Sequence, residues 1–417
     1  MKILVINFGG IGDEIFFLPT LISLKEEFPE AKITLALEPR SKSVKDLTDT
    51  IDDLILVDIK GKNKYFELLK LVFQVWGGRF DMVISSGGNK LISILLFLTG
   101  IKKRYGYDTG KLSRILLTKA VPLNKNQYAC NMYHDLISPI TDIKTDLPEI
   151  NVDAQEKIPN SVLIHPGVSK MSVQKGMTKT ISGDVWAEVV KLLLEKGKNV
   201  ILAGGPDDEE VILEIEKNLA DKSEEQKAES RSALLCRQEG GLSYDNSPSP
   251  QPFSTTRTEF SLRKASHKTI LNRFVRQSPS RGEGACNDSL STLQPFNLST
   301  ETDLSPYCPI ALSPFTNLYG KTKSLKDLAI LIGKAEKFIC SDSAPLHVAV
   351  AMKTKTYPIF GPTDDKKLIP QSNLVVPIKA KDNCPIKPCL WEHRGTTCEN
   401  LDCLKITAED IVKIVCG

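Results

Sequence analysis

The chain alternates short apolar runs with longer segments in which apolar residues recur at helical spacing. A short apolar run predicts a buried strand, and recurrence every three to four residues predicts an amphipathic helix. Their alternation predicts βαβ units and therefore a parallel sheet. In the first part of the chain the predicted strands are 2–7, 33–37, 53–58 and 80–85, and the predicted helices are 15–28, 43–49, 64–76 and 89–99.

A second unit of the same kind follows a break at residues 139–158, where X-Pro pairs replace the alternation. Its markers are an apolar run ending in His165-Pro166-Gly167, a helix at 184–196, and a strand at 199–203 followed by Gly204-Gly205-Pro206. Because both units repeat the βαβ pattern, we expect an α/β protein with two Rossmann-like, doubly wound domains facing each other across a cleft. The expected domains are residues 1–152 and 158–417.

Residues 222–315 interrupt the second unit with a different composition. The segment is rich in Ser and Pro and shows no sustained apolar period, so it cannot bury enough surface to offset the entropy of ordering. We expect a disordered insertion between a helix at 208–219 and a strand at 317–319. Within it, residues 262–275 carry four Lys and Arg residues and no acid, which indicates either a basic amphipathic helix for a membrane or partner, or a solvated loop.

Composition excludes several classes of protein. The 417 residues are 41% hydrophobic and 25% charged, as in ordinary soluble domains, and a net charge of +3 gives no indication of nucleic-acid binding. Local basic patches can still meet an anionic membrane or a phosphorylated substrate. The N-terminus predicts a core strand rather than a signal peptide, so we expect a cytoplasmic protein. The longest apolar run, 91–101, is too short to span a membrane and predicts a buried helix.

Ten cysteines in a chain of this length do not predict a disulfide framework in the cytoplasm. Four of them cluster around His393, namely Cys384, Cys389, Cys398 and Cys403. Their spacing is wider than that of the usual zinc knuckle. We therefore favour reduced, partly buried thiols over a structural zinc site.

A glycine-rich turn follows the first predicted strand. Gly9, Gly10 and Gly12 let the backbone approach a ligand closely and leave Asp13 as the ionisable group of the turn. The spacing differs from the dinucleotide-binding fingerprint, because Ile15 stands where its third glycine belongs, and this argues against NAD. We expect the first predicted helix to begin beside Asp13, at residue 15.

A second polar turn lies near the other end of the chain. The predicted strand 337–340 leads to Asp342 and Ser343, and Pro345 is placed to open a helix whose free N–H groups suit a phosphate. After that helix the predicted strand 357–360 leads to another polar turn. Ligands of open α/β sheets bind at these carboxyl ends of strands.

Seven short motifs occur in a fixed order along the chain. They are Gly12-Asp13 with Pro19, His165-Pro166-Gly167, Lys179 seven residues before Trp186, Gly204-Gly205-Pro206, Gly320-Lys321-Thr322 with Leu325, Asp342-Ser343-x-Pro345-x-His347, and Phe360-Gly361-Pro362-Thr363. Together they resemble glycosyltransferase family 9, the bacterial heptosyltransferases that add heptose to the lipopolysaccharide inner core. The resemblance covers essentially all of the chain except 222–315.

The resemblance implies the GT-B fold and inversion at the anomeric carbon, with no metal and no cofactor. It implies a nucleotide-diphospho-sugar donor, ADP-heptose, bound by the C-terminal half. The N-terminal half would bind a lipid-linked saccharide acceptor, with peripheral contact to the inner membrane and no nucleic acid as partner. The implied donor-binding residues are His165, Gly205, Thr322, Asp342, Ser343, Ala344, His347, Gly361 and Thr363, and the implied acceptor-side turn contains Gly10 and Gly12. Ala344 departs from the family, which usually has glycine there.

The resemblance also implies that Asp13 is the general base and that Lys179 contacts the donor phosphates. An inverting transfer needs one carboxylate to take the acceptor proton, and positive charge or N–H dipoles to stabilise the departing diphosphate. Each residue also has a structural interpretation. Asp13 can cap the first helix, Lys179 can be a solvated surface charge, and His347 and His165 can be core histidines.

We therefore expect an inverting heptosyltransferase. Two alternatives stay open from the sequence. One is another GT-B enzyme acting on nucleotide sugars, including an epimerase. The other is a degenerate, non-catalytic protein that binds a sugar nucleotide, inactivated by the insertion.

Overall fold

The structure is a computed structural model that describes residues 1–154, 156–221, 314–381, 384–392, 398 and 400–417. All of these residues belong to one compact unit. The predicted insertion 222–315 lies outside the described residues except for its last two positions. His393 of the cysteine cluster and the segment 262–275 also lie outside them.

The first half of the chain forms a six-stranded sheet. Its strands are β1 (Lys2–Ile6), β2 (Lys32–Leu37), β3 (Asp53–Leu56), β4 (Met82–Ser85), β5 (Lys103–Tyr107) and β6 (Lys119–Val121). All neighbouring strands are parallel, in the order β3-β2-β1-β4-β5-β6. The central strand β1 is buried on both faces, which accounts for its continuous apolar sequence.

Helices connect these strands and cover both faces of the sheet. They are α1 (Ile11–Glu27), the 3-10 helix Pro39–Leu47, α2 (Lys64–Gly78), α3 (Lys90–Leu98), α4 (Lys111–Leu116) and α5 (Ala129–His134). Helix α1 begins at Ile11, four residues earlier than the sequence predicted, so Asp13 lies in its first turn rather than in the preceding loop. The earlier start follows from Gly10, which acts as the N-cap while the Asp13 carboxylate accepts a hydrogen bond from its backbone N–H.

The second half of the chain repeats the arrangement. Its strands are β7 (Ile158–His165), β8 (Asn199–Leu202), β9 (Phe315–Asn317), β10 (Ala335–Ser341), β11 (Lys355–Phe360) and β12 (Ile378–Lys379). Its helices are α6 (Lys170–Gln174), α7 (Gly183–Glu195), α8 (209–221), α9 (Leu325–Lys334), α10 (Ala344–Ala351), α11 (Asp365–Leu368), α12 (Cys389–Glu392) and α13 (Ala408–Cys416). The strands are parallel, in the order β12-β11-β10-β7-β8-β9.

Both sheets have the same topology. In each, the first strand of the half lies beside the fourth, and the chain winds outwards from that pair in both directions. The order of connection therefore reverses between β1 and β4 in the first sheet and between β7 and β10 in the second. Ligands of doubly wound sheets bind outside the carboxyl ends of strands at such switch points. The predicted α/β class with doubly wound sheets is confirmed.

Three predictions about elements need correction. Strands β5 and β6 were not predicted, because Lys103, Arg104 and Gly106 break the apolar pattern of β5 and β6 has only three residues. The predicted insertion ends too late, since Phe315 already belongs to β9. The apolar run 91–101 is not simply a buried helix, because α3 exposes about half of several large side chains.

The main apolar core takes residues from both halves. Helix α1 contributes Phe16 and Leu21, and α10 contributes Leu346 and Val350 to the same cluster. A separate cluster lies under α2, α3 and α4, with Leu71 and Leu96 buried against the other face of the first sheet. Within the described ranges, no helix combines the length and apolar character needed to cross a bilayer.

Candidate active site at the two switch points

A cavity of about 220 Å³ lies at the switch point of the first sheet. It opens where β1 and β4 end and where α1 begins, which is the edge at which a doubly wound sheet binds ligands. Its lining combines apolar residues with a carboxylate, an amide, two hydroxymethyl groups and a phenol. The lining residues are Ile6, Asn7, Phe8, Gly9, Asp13, Ser85, Ser86, Gly87 and Tyr133.

Asp13 is held in this cavity by one hydrogen bond to each carboxylate oxygen. Oδ2 accepts from the Gly10 backbone N–H at 2.8 Å, and Oδ1 accepts from the Tyr133 hydroxyl at 3.1 Å. Burial raises the pKa of Tyr133 well above its usual value and the Asp13 charge raises it further, so the phenol keeps its proton and donates. Asp13 thus caps α1, and the same carboxylate lines the cavity, so the structural and chemical interpretations are compatible.

The glycines of this turn serve different purposes. A Cβ on Gly9 would lie 2.2 Å from Cβ of Asp13, and one on Gly12 would lie 2.8 Å from Cδ2 of His347, which belongs to the second half. Only glycine fits either position without movement. A Cβ on Gly10 would meet nothing closer than the Arg40 guanidinium at 3.8 Å. Gly12 is therefore required because His347 packs directly on it.

A buried polar network behind Asp13 was not predicted from the sequence. The Ser86 hydroxyl donates to Asn7 Oδ1 at 2.6 Å, and Asn7 Nδ2 donates to Glu14 Oε2 at 3.1 Å. Burial, followed by the neighbouring Asp13 charge, raises the pKa of Glu14 well above its usual value. Asp13 and Glu14 are adjacent in sequence, yet the first lines the cavity and the second is 1% exposed.

Arg40 is a further cation that the sequence did not single out. Its Nε donates to Glu38 Oε2 at 2.7 Å, and its Nη1 lies 3.4 Å from Met171 Sδ in the second half. Its guanidinium therefore lies beside the Gly10 turn and reaches the opposite half of the chain. The sequence around Arg40 does not predict this contact, because Met171 is far away along the chain.

Lys179 and Asp342 form an ion pair at the second switch point. Lys179 Nζ lies 2.9 Å from Asp342 Oδ2, and the Asp342 side chain is almost fully buried. Burial alone would raise the pKa of Asp342, but the Lys179 ammonium, together with His347 and Thr363, holds that pKa below its usual value. Lys179 is therefore not a freely solvated surface charge, although about a fifth of its side chain remains exposed.

Hydrogen bonds lock the backbone around this pair. The Thr180 hydroxyl donates to the Pro166 carbonyl at 2.6 Å, and the Ser341 hydroxyl bonds to the same carbonyl at 2.7 Å. The fully buried Trp186 donates its indole N–H to Thr180 Oγ1 at 3.3 Å. This contact explains the spacing between Lys179 and Trp186, because the tryptophan fixes the residue that follows the lysine.

His347 connects the two halves. Its ring lies on α10, 4.1 Å from the ring of Phe16 on α1, and it covers Gly12. Burial lowers the pKa of His347 to about 4, although the negative charges of Asp342 and Asp13 oppose the shift. The imidazole is therefore neutral near pH 7, and both Asp13 and Asp342 act on it electrostatically. The two predicted sites thus meet at this side chain.

His165 and Gly205 belong to a buried cluster around Asp208, which the sequence did not single out. His165 Nε2 lies 3.5 Å from Asp208 Oδ2, and that oxygen accepts the Gly205 backbone N–H at 2.7 Å. Burial lowers the pKa of His165 and raises that of Asp208, each opposed by the charge of the other. A Cβ on Gly167 would lie 1.8 Å from Asp208 Oδ1, so the His-Pro-Gly sequence is required by this aspartate.

The remaining predicted donor residues lie at the same edge of the second sheet or close to it. Ser343 is the N-cap of α10 and Ala344 is its first residue. Gly361 and Thr363 are buried after β11; a Cβ on Gly361 would lie 2.5 Å from Leu404 Cδ2, which gives that glycine a packing reason. Thr322 is half-buried before α9, beside a turn in which the Gly320 N–H bonds to the Gly204 carbonyl.

The four cysteines of the predicted cluster differ in exposure. Cys389 and Cys403 are buried, and Cys384 and Cys398 are half-buried. In the part of the chain that the structure describes, no group of three or more His, Cys, Asp or Glu side chains is placed to hold a metal ion.

Two Rossmann-type halves, each with polar side chains at its switch point and in contact through α1 and α10, form the GT-B fold. The family model for glycosyltransferase family 9 (heptosyltransferase) matches residues 68–235 and 304–393, which together make up more than half of the chain. The chain therefore belongs to glycosyltransferase family 9, and it is a glycosyltransferase by that membership. The match leaves out 236–303, inside the predicted insertion.

Known proteins similar to this chain agree with the family. Lipopolysaccharide heptosyltransferase 3 of Escherichia coli K12 is 22% identical over 362 residues, which cover 85% of this chain and 80% of that protein. A family 9 glycosyltransferase from Veillonella parvula has a similar structure (TM-score 0.63, 18% identity, 99% of this chain and 96% of that one). So has E. coli ADP-heptose lipopolysaccharide heptosyltransferase II (TM-score 0.60, 17% identity, 100% and 97%). At such identities the structural similarity concerns the fold alone.

Proposed function

We propose that this enzyme transfers heptose from ADP-heptose to a saccharide of the lipopolysaccharide inner core, with inversion at the anomeric carbon and without a metal ion. The observation that carries the proposal is the Asp13 carboxylate in a cavity at the first switch point, next to the contact with His347. The names of similar proteins support the choice of sugar and acceptor. One is a lipopolysaccharide heptosyltransferase, and another, E. coli heptosyltransferase WaaC (TM-score 0.59, 13% identity), was solved with ADP-2-deoxy-2-fluoro heptose.

In this proposal Asp13 is the general base. The acceptor hydroxyl oxygen attacks the anomeric carbon, the bond from that carbon to the diphosphate oxygen breaks, and ADP leaves with the electron pair. The acceptor proton passes to the Asp13 carboxylate. The Tyr133 hydroxyl and the Gly10 N–H hold the carboxylate in one orientation, which fixes the oxygen that receives the proton.

The donor diphosphate would lie at the second switch point. Lys179 supplies positive charge, Ser343 lies where α10 presents its free N–H groups, and the buried Thr363 hydroxyl lies beside the Asp342 carboxylate. These groups can stabilise the negative charge that develops on the departing diphosphate. The buried Asp342 orients Lys179 and leaves its other N–H donors for phosphate oxygens.

The acceptor would be lipid-linked and would be bound by the first half. We place the enzyme in the cytoplasm in peripheral contact with the inner membrane, where such an acceptor is exposed. This arrangement requires no spanning helix, because the saccharide extends from the bilayer into the aqueous phase.

Product analysis tests the proposal. The purified enzyme would be incubated with several nucleotide sugars, including ADP-heptose, and with lipid A core acceptors, followed by mass spectrometry of the products. We expect one added heptose, formation of ADP in equal amount, and undiminished turnover in excess EDTA. The anomeric configuration of the product, measured by NMR, should be opposite to that of the donor. Transfer of another sugar, retention of configuration, or a strict requirement for Mg²⁺ would contradict the corresponding part of the proposal.

A further inference from the structure

Helix α2 is apolar on two sides. Leu71, Val72 and Val75 face the sheet and are buried, as expected for a surface helix of a globular protein. The opposite side of such a helix is normally polar, but here it is largely aromatic and aliphatic. The exposed residues, with their exposed fractions, are Tyr65 (67%), Phe66 (66%), Leu69 (54%), Phe73 (62%) and Trp76 (56%).

The apolar surface continues over the two neighbouring helices. Trp76 donates its indole N–H to the Leu98 carbonyl at 3.0 Å, which joins the end of α2 to the end of α3. Helix α4 packs beside α3. The exposed residues on these two helices are Leu91, Phe97, Leu98, Leu112 and Ile115, the last of them 77% exposed. We call the exposed apolar residues of α2, α3 and α4 the outer face.

Positive charge is concentrated in the segment that carries the outer face. Residues 60–120 contain twelve Lys and Arg against three Asp and Glu, a net charge of +9, whereas the whole chain has only +3. All twelve cations are exposed except Arg104, which is half-buried. Two of the three acids are already paired, Glu67 with Lys70 and Asp108 with Arg114. The surface therefore presents uncompensated cations beside exposed aromatic rings.

Two of these cations are in direct contact with rings of the outer face. Lys64 Nζ lies 5.0 Å from the ring centroid of Tyr65, and the Arg104 guanidinium lies 5.5 Å from that of Phe97. Aromatic side chains at the polar boundary of a bilayer, bordered by Lys and Arg, are typical of proteins that lie on a membrane surface. Anionic headgroups attract such cations.

We propose that the outer face docks on an anionic phospholipid bilayer, with its aromatic and aliphatic side chains at the boundary between headgroups and acyl chains. Charge favours this occupant over the alternatives. Two copies of the chain docked through this face would bring together two segments that each carry a net charge of +9. The segment 222–313 contains eleven Lys and Arg and ten Asp and Glu, so it has no excess of acid with which to cover the face.

The outer face adjoins the candidate active site through α3. Ser86 and Gly87 line the cavity of Asp13, and the chain runs from them through Asn89 into α3, where Leu91 is exposed. In a parallel sheet the helices α2, α3 and α4 all begin at the carboxyl edge, where the cavity opens. Docking would bring the cavity close to the bilayer surface. That the enzyme docks in order to reach a lipid-linked acceptor rests on the proposed function. Docking itself does not depend on that function.

Vesicle binding tests the proposal directly. The full-length protein would be mixed with vesicles of phosphatidylcholine, with and without phosphatidylglycerol, and binding measured by flotation. Trp76 fluorescence gives a second readout, since we expect a blue shift when the indole enters the bilayer boundary. The protein should bind anionic vesicles at least ten times more tightly than neutral ones, and high salt should weaken the binding.

Two sets of variants separate the contributions. Phe66→Ser with Phe73→Ser removes apolar contact, and Lys62→Glu, Lys64→Glu and Lys70→Glu together reverse local charge. Each set should weaken binding to anionic vesicles about tenfold or more. Matched controls on the second half are Leu213→Ser, an exposed apolar residue, and Lys217→Glu, Lys326→Glu and Lys413→Glu, which are exposed cations. The controls should bind within about twofold of the wild type.

Several outcomes would overturn docking. One is a loss of vesicle binding in the control variants as large as that in the outer-face variants. Another is vesicle binding by the outer-face variants that equals that of the wild type. A doubling of molecular mass in solution that the outer-face variants abolish would assign the face to a second copy instead. ADP binding and transfer to a delipidated acceptor should persist in the outer-face variants, so failure of docking can be distinguished from failure of the proposed function.

Discussion

The two adjacent acids at the start of α1 differ in environment. Asp13 lines the cavity and accepts two hydrogen bonds, whereas Glu14 is buried and its pKa is raised well above the usual value. Asp13 is therefore placed to act on a molecule in the cavity, whereas burial disfavours the charged form of Glu14. Replacing each acid by its amide, Asp13→Asn and Glu14→Gln, therefore compares two changes of the same kind in different environments.

Asp13→Asn should lower kcat about 100-fold or more while ADP affinity stays unchanged, because the amide cannot take the acceptor proton. Glu14→Gln is the control. It changes a buried side chain of the same size that does not line the cavity, so turnover should stay within a few-fold of the wild type. Steady-state kinetics and ADP calorimetry measure both effects. Near wild-type turnover in Asp13→Asn would remove Asp13 from the role of general base.

His347 should make the protein sensitive to acid. Its pKa is lowered to about 4 in the folded state from about 6.5 in the unfolded chain, so the unfolded state binds more protons between these values. The stabilising contribution is fully present above pH 6.5 and is lost as pH falls towards 4. From pH 8 to pH 5 this one group should remove about 2 kcal/mol from the free energy of unfolding.

Urea unfolding of the wild type and of His347→Gln at both pH values measures the contribution. The variant should lose about 2 kcal/mol less than the wild type over this range, whatever its absolute stability. An identical pH dependence of the two free energies of unfolding would contradict the prediction. It would mean that the pKa of His347 is the same in the folded and unfolded states.

At the scale of elements, the Lys179–Asp342 pair joins the segment before α7 to the end of β10. Lys179→Met should destabilise the protein by about 3 kcal/mol, because it leaves a buried carboxylate without its cation. Asp342→Asn in the same chain should restore part of that loss, since the amide needs no counter-charge. A double-mutant cycle by urea unfolding measures the coupling. Additive effects of the two changes would mean that the pair contributes no coupling energy.

The central elements of both sheets could be predicted because parallel strands buried on two faces have continuous apolar runs, as in β1 and in residues 162–164 of β7. This signal is absent from β5, which contains Lys103, Arg104 and Gly106, and from the three-residue edge strand β6. At the site, the sequence singled out Asp13, Lys179 and His347, which lie in recognisable motifs. It did not single out Tyr133 or Asp208, because their importance depends on contacts between residues far apart in sequence.

At the scale of the whole molecule, the predicted insertion interrupts the second half of the chain between α8 and β9. The described part of α8 extends to residue 221, and β9 begins at Phe315, as an edge strand beside β8. The family match likewise leaves out 236–303. The predicted insertion therefore leads into the edge strand β9. That strand is separated by β8 from β7, which lies at the switch point.

Replacing residues 222–313 by a short Gly/Ser linker should preserve folding and ADP binding, because long surface insertions change loop-closure entropy by only about 1 kcal/mol for a few doublings of length. Thermal unfolding and calorimetry with ADP measure the outcome. Limited proteolysis of the intact chain should cut first within the same segment. Unfolding of the shortened chain, or resistance of the segment to protease equal to that of its neighbours, would make it an integral part of the fold.

The position of β10 has a consequence for synthesis on the ribosome. This strand occupies the centre of the second sheet, yet it follows the insertion in sequence. About 110 residues separate β8 from β9, so at typical elongation rates roughly 6 to 20 s pass before the chain that completes the sheet begins to emerge. During that interval β7 and β8 have no central partner, and the surface of α1 that α10 later covers is exposed. The first half therefore acquires its cavity early, and His347 is among the last site residues to arrive.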